Sequence, residues 1–201
     1  IDTMKVLEAA KAKYNFQVHY PGAGVGGPCL PINSYQLLNT ARRTGVKLSI
    51  IESGRKINES MPDHVIELTL DAFNECSKSL ENSRILIMGI SYKPNVKDIQ
   101  LSPAKHIIKK LQNLGANVHI YDPFFSSTKV FDVQVEENLE NVLPKMDAAI
   151  IVTGHDVFKK IPISSFSKMK NKILIDTRGR IDPISAKKEN IIFRGLGRGN
   201  S

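Results

Sequence analysis

With 201 residues, 41% of them hydrophobic, the chain is long enough to bury one good core, or one core with a helical appendage. Its two cysteines, Cys29 and Cys76, exclude a disulfide framework and fit a reducing compartment, the cytoplasm. The net charge of +8 suits an anionic partner, but Lys and Arg are spread through helices without interleaved aromatics, which favours a small anionic substrate over nucleic acid. No apolar run reaches membrane-spanning length.

The chain opens at Ile1-Asp2-Thr3-Met4 and enters a helix at once, as a fragment would. Residues 1–13 read as that helix, with Met4, Val6, Leu7 and Ala10 as a partial apolar face and Asp2 or Thr3 as its cap. Next comes His19-Tyr20-Pro21-Gly22-Ala23-Gly24-Val25-Gly26-Gly27-Pro28-Cys29-Leu30-Pro31. Glycine lets a backbone approach a ligand, and proline keeps such a loop from coiling into a helix. A second helix is expected to begin near Asn33 and to end at Gly45. Residues 48–80 read as mostly helical with a break at Pro62. Their broad apolar surface, from Ile50 to Phe73, should pack on a second subunit or on the chain's own core.

After Glu81-Asn82-Ser83 the character changes. Arg84 to Ile90 is a near-continuous apolar run, as in a buried parallel strand. Ser102-Pro103 opens a helix carrying Ala104, Ile107, Ile108 and Leu111, closed by Gly115. Further strands are predicted at 117–121, 147–153, 172–176 and 190–193, with short helices at 136–143, 158–161 and 163–169. This alternation predicts an α/β fold: a Rossmann-like open parallel sheet, preceded by an all-helical segment. The expected division is 1–80 and 81–201.

Ligands in such sheets collect at the carboxyl ends of strands. Lys93 follows the first strand, and Arg178 and Arg180 follow the fourth. They should converge on one edge and hold an anion by their side chains, with Tyr92 free to stack on a base. Cys29 stands where the loop meets a helix, whose amide dipoles favour a thiolate. The alternative for a free cysteine is a small buried hydrophobe. Gly22, Gly24 and Gly27 spell G-x-G-x-x-G. Yet Pro28 and Pro31 stand where a regular helix should run, and no acidic residue follows at the ribose position, so this is not read as a cofactor turn. The histidines at 19, 64, 106, 119 and 155 lack ligand spacing, so no metal is expected.

Four ordered segments carry a resemblance to the UDP-glucose/GDP-mannose dehydrogenase family, whose members include UDP-N-acetylmannosamine dehydrogenases. They are Pro21 to Pro31, Gly89 to Ile99 with Ser102-Pro103, Ile120-Tyr121-Asp122-Pro123 and Asp176-Thr177-Arg178-Gly179. Arg194 to Arg198 resembles the family's usual end. The resemblance implies a nucleotide-sugar 6-dehydrogenase acting on a UDP-hexose, with NAD bound mainly by an N-terminal domain outside this chain. It implies that the Cys29 thiolate adds to the C6 aldehyde between two hydride transfers, through a thiohemiacetal and a thioester. Backbone from His19 and Tyr20 through Gly22, Gly24, Gly26 and Gly27 would cradle the substrate. Tyr92 and Lys93 would hold UDP, and Arg178 would reach substrate across a homodimer formed by the 33–80 helices. The chain departs from the family's pattern at Asn33, where relatives place an aspartate that assists water, at Pro28 and at Gln100-Leu101. An amide positions water but is no carboxylate base. The alternative reading is therefore a non-catalytic relative that binds a UDP-sugar and dimerises.

Overall fold

The structure, a computed structural model, describes residues 1–198. Three helices come first: α1 (Thr3–Ala10), α2 (Leu30–Arg43) and α3 (Ser49–Glu75). The remainder alternates through β1 (Arg84–Met88), α4 (Ala104–Asn113), β2 (Asn117–Tyr121), β3 (Lys129–Val130), β4 (Val133–Gln134), α5 (Leu139–Val142), β5 (Ala148–Ile151), α6 (Ile163–Phe166), β6 (Ile173–Asp176), α7 (Pro183–Lys188) and β7 (Ile192–Gly195). Five strands form one parallel sheet in the order β2-β1-β5-β6-β7, while β3 and β4 make a small antiparallel hairpin. This is the Rossmann-like α/β architecture expected from the sequence.

Successive strand residues point to opposite faces, and both faces are covered. Ile85, Ile87, Ile150 and Ile173 share a core with Val65, Ile66, Ala72 and Phe73 of α3 and with Ile107, Ile108 and Leu111 of α4. Leu86, Met88, Ala149 and Leu174 turn the other way, onto Val142, Leu143, Phe158, Phe166 and Met169. The C-terminal half of α3 is thus a covering helix of the sheet. Ion pairs at its margins fix its angle: Asp63 to Lys110 on α4, and Asp71 to Arg194 on β7 at 2.7 Å.

Four expectations need correction. There is no break at Pro62; α3 runs straight through it. The proline only removes the bond that its N–H would have given to the Asn58 carbonyl, and the ring itself is buried in favourable packing. α2 begins at Leu30, not near Asn33, because Pro31 suits a first turn that has no partner for its N–H groups. The β3–β4 hairpin was not predicted: its turn uses positive φ at Phe131 (50°) and Asp132 (66°), without the usual glycine or asparagine. α7 was also not predicted, although Asp182 caps it by accepting from Ser185 N at 3.0 Å and Pro183 opens it. Smaller shifts occur at α1, which is shorter than 1–13, and at β7, which starts two residues late.

Candidate functional site

β2 lies on one side of β1 and every later strand of the sheet on the other, so the topological switch falls between β1 and β5. In this chain that crevice is closed by protein. Gly89 holds a φ of +82°, and a Cβ there would lie 2.6 Å from the Thr153 carbonyl oxygen, so the loops after β1 and β5 press together. Behind them sits a wholly buried pair: His155 Nε2 and Asp122 Oδ2, 3.1 Å apart. The Asn95 N–H donates to His155 Nδ1 at 2.9 Å, which makes Nδ1 the acceptor and Nε2–H the donor to Asp122. Asp122 also accepts from Ile90 N (2.8 Å) and Phe124 N (2.9 Å). No glycine-rich turn and no open cradle for a pyrophosphate remain. The described residues of this crevice therefore do not fit NAD.

The network instead shapes the segment after β1. Ser91 Oγ donates to Val96 O at 2.6 Å, Thr153 Oγ1 to Ser91 O at 2.6 Å and Tyr92 N to Asp98 O at 3.0 Å. The result is a stiff platform over 91–101, and the glycine loop is clasped against it. Gly27 N donates to Gln100 O at 2.9 Å. Gly26 lies against the Leu101 carbonyl oxygen, where a Cβ would overlap it. Tyr92 covers Gly27, whose φ is +89°; its ring atoms lie 2.7 Å from where a Cβ would sit. Gly22 rests against the Arg178 guanidinium. From the other side, Asn58 of α3 accepts from Val25 N (2.7 Å) and donates to Val25 O (3.3 Å). Gly24 packs near the Asn58 carbonyl that Pro62 leaves without its helical donor. The G-x-G-x-x-G spacing is thus explained by contacts with Arg178, Asn58 and Tyr92, and residues 16–20 before it form no strand.

The expected cations gather around this clasp. Arg178 is half-buried and sits next to Gly22 of its own chain. Its N–H donates to Asp176 Oδ1 at 2.9 Å, which sets the turn that presents it. Burial, and then the charge of neighbouring Arg180, hold the Arg178 guanidinium below its ordinary pKa. Burial pushes the Asp176 carboxyl up. Neither Arg178 nor Arg180 has a carboxylate within salt-bridge distance among the described residues, though Arg180 donates to Gly154 O at 2.5 Å. Two adjacent guanidiniums without a direct carboxylate contact suit an anionic ligand. Lys93 is exposed, with Nζ 5.5 Å from the Tyr92 ring centroid. Cys29 is exposed at the N-cap of α2, and Asn33 stands one turn on, its N–H donating to Cys29 O at 2.9 Å. His19 and Tyr20 are not drawn into the clasp: both are exposed, and the Tyr20 hydroxyl donates to Glu8 on α1 at 3.1 Å.

Sequence reasoning missed Asn58, Asp122 and His155. Asn58 stands four residues before a helical proline, a position whose carbonyl must find another neighbour, and Asp122 ends a strand just before Pro123.

A five-stranded parallel sheet of this order, an exposed cysteine on a glycine loop and guanidiniums at a strand end define a Rossmann-like α/β protein with a candidate anion site. Comparison with known proteins makes this specific. Residues 86–183 match the UDP binding domain of the UDP-glucose/GDP-mannose dehydrogenase family, and residues 1–60 match the central domain of the same family. The chain belongs to that family. It is 32% identical over 201 residues to the UDP-N-acetyl-D-mannosamine dehydrogenase of Pyrococcus horikoshii, covering 100% of this chain and 45% of the relative. It is 32% identical over 182 residues to the UDP-N-acetyl-D-glucosamine 6-dehydrogenase of Salmonella typhi, covering 89% of this chain and 42% of the relative. The solved structure of the Pyrococcus horikoshii UDP-D-ManNAc dehydrogenase superposes with a TM-score of 0.85 at 31% identity, over 100% of this chain and 45% of that one. The chain therefore spans less than half the length of the relatives it matches.

Proposed function

We propose that this chain binds a UDP-sugar between the clasped glycine loop and the rim formed by Lys93 and Arg178, and that it dimerises. The observation that supports this reading is the contact of Gly22 with Arg178 and of Gly27 with Tyr92, the residue before Lys93. In this reading the rim residues meet the diphosphate and backbone at Gly22, Gly24, Gly26 and Gly27 lines the sugar. Residues 81–201 act as the UDP-sugar-binding domain and residues 1–80 as the helical dimerisation region. The sugar would be UDP-N-acetylmannosamine, by likeness to the Pyrococcus horikoshii relative.

The finer proposal places the chain within an NAD-dependent nucleotide-sugar 6-dehydrogenase. Its own contribution there is the Cys29 thiolate. The sulfur would add to the C6 aldehyde carbon, and the carbonyl oxygen would take up a proton to give a thiohemiacetal. After a second two-electron oxidation, supplied by NAD outside this chain, water would displace the thiol and release the uronate. Asn33, one turn from Cys29, can orient that water by its amide but cannot take its proton. This favours binding without turnover as the activity of the chain by itself.

Alkylation of Cys29 by iodoacetamide, timed by mass spectrometry with Cys76 as internal reference, tests the site. A UDP-hexose should slow Cys29 at least about fivefold without affecting Cys76, and Lys93→Ala should remove that protection. Protection of neither thiol would show that the loop and the rim do not form one substrate site.

Dimerisation rests on the apolar side chains that α2 and the N-terminal half of α3 leave exposed: Leu37 (51%), Ile50 (89%) and Ile57 (63%). Sedimentation velocity should show a dimer, and Ile50→Glu should shift it to monomer with little loss of stability. A monomeric wild-type chain at tens of micromolar would remove this part of the proposal.

A further inference from the structure

The ring of Tyr92 lies where the sequence alone did not put it. It packs on Gly27, with Cδ2 and Cε2 each 2.7 Å from the position of a Gly27 Cβ. Gly27 is buried and held at a φ of +89°, a conformation that L side chains rarely adopt. Only Pro28 and Cys29 then separate it from α2, and Cys29 has no side-chain capping bond to fix its own direction. The course of the chain through the thiol is therefore set from its two ends, the helix on one side and the ring on the other. Tyr92 is itself held, through the bond from its N–H to Asp98 O, by the platform that rests on Asp122 and His155. Its neighbour in sequence is Lys93, whose ammonium lies 5.5 Å from the ring centroid.

We propose that Tyr92 is a positioning residue for Cys29: its ring fixes the Gly26–Gly27 backbone, and with it the entry into α2 that presents the thiol. This rests on the reading of Cys29 as the nucleophile of the UDP-sugar site. One side chain then touches both the cation placed at the phosphate and the glycine two residues from the sulfur. The contact is made by the ring face rather than the hydroxyl, so phenylalanine should replace tyrosine without loss.

The test attaches a trifluoromethyl ketone label to Cys29 and records its fluorine resonance in the ligand-free chain. Cys76→Ser serves as background, since that half-buried thiol only donates to Phe73 O at 3.3 Å, a bond serine can keep. Wild type and Tyr92→Phe should each give one sharp line, and Tyr92→Ala a broadened or split one, with circular dichroism unchanged. UDP binding is measured separately by calorimetry on the unlabelled proteins. A single unshifted line in Tyr92→Ala overturns the proposal, and weakened UDP binding with that unshifted line would return Tyr92 to the role of a base platform. Should Tyr92→Ala fail to fold, Gly27→Ala attacks the same contact from the other side and should broaden the label in the same way; an unchanged line there also overturns the proposal. Failure of the wild-type chain to bind UDP would sink the substrate reading while leaving the fluorine result to decide the role of Tyr92.

Discussion

Asp122→Ala is expected to lower the unfolding free energy by about 3–5 kcal/mol, a large share of what a domain of this size possesses. Three donors converge on this one carboxylate: Ile90 N and His155 Nε2 in the interior, and Phe124 N, which is half-buried. Alanine leaves the two interior donors without a partner and without access to water, and each stranded group costs about 1–3 kcal/mol. Asp122→Asn keeps one acceptor oxygen but turns an NH2 toward a donor, so it should fall between wild type and alanine. Urea unfolding followed by circular dichroism measures both. The loss should extend to ligand affinity, because the platform carrying Tyr92 and Lys93 hangs from the same network. A loss under about 1 kcal/mol would mean that the buried pair does not organise the sheet edge.

Gly26→Val should have the opposite profile, with a small effect on stability and a large one on binding. Its added Cβ meets the carbonyl oxygen of Leu101, which is backbone and sits at a φ of +50° on a platform that cannot easily yield. The glycine loop must then leave the platform. Ala23 anchors the first half of the loop in the main core, whereas Gly26 belongs to neither core layer, so the unfolding midpoint should move little. Affinity for UDP should fall at least about 100-fold, some 2.7 kcal/mol, by calorimetry. Wild-type affinity in Gly26→Val would show that UDP is held by the rim alone.

How much of this was legible in the residues differs from element to element. The strands were, because Arg84 to Met88 and Ile173 to Asp176 are apolar runs that only a doubly covered sheet can bury. The proposed site's components, Cys29, the glycines, Lys93 and Arg178, stand out in the sequence by their position at loop and strand ends. Their mutual contacts were not, since the touch of Tyr92 on Gly27 joins positions 65 apart and has no local signature. α7 could have been found from its Asp-Pro start, whereas the Phe131-Asp132 turn offered no such sign. Pro62 misled for a physical reason. A proline costs a helix one bond and a clash with the preceding turn, but the long core-facing helix that contains it is secured by burial along its whole second half.

That unbroken α3 has a kinetic meaning. It is one continuous helix, holding the glycine loop through Asn58 near its middle and the sheet through Phe73 and Asp71 at its far end. The helix is unbroken between its contact with the loop and its contact with the sheet. Loop and cations are brought into register as the chain folds, so a ligand meets them already assembled, and the entropy of ordering them is lost at folding rather than at each encounter.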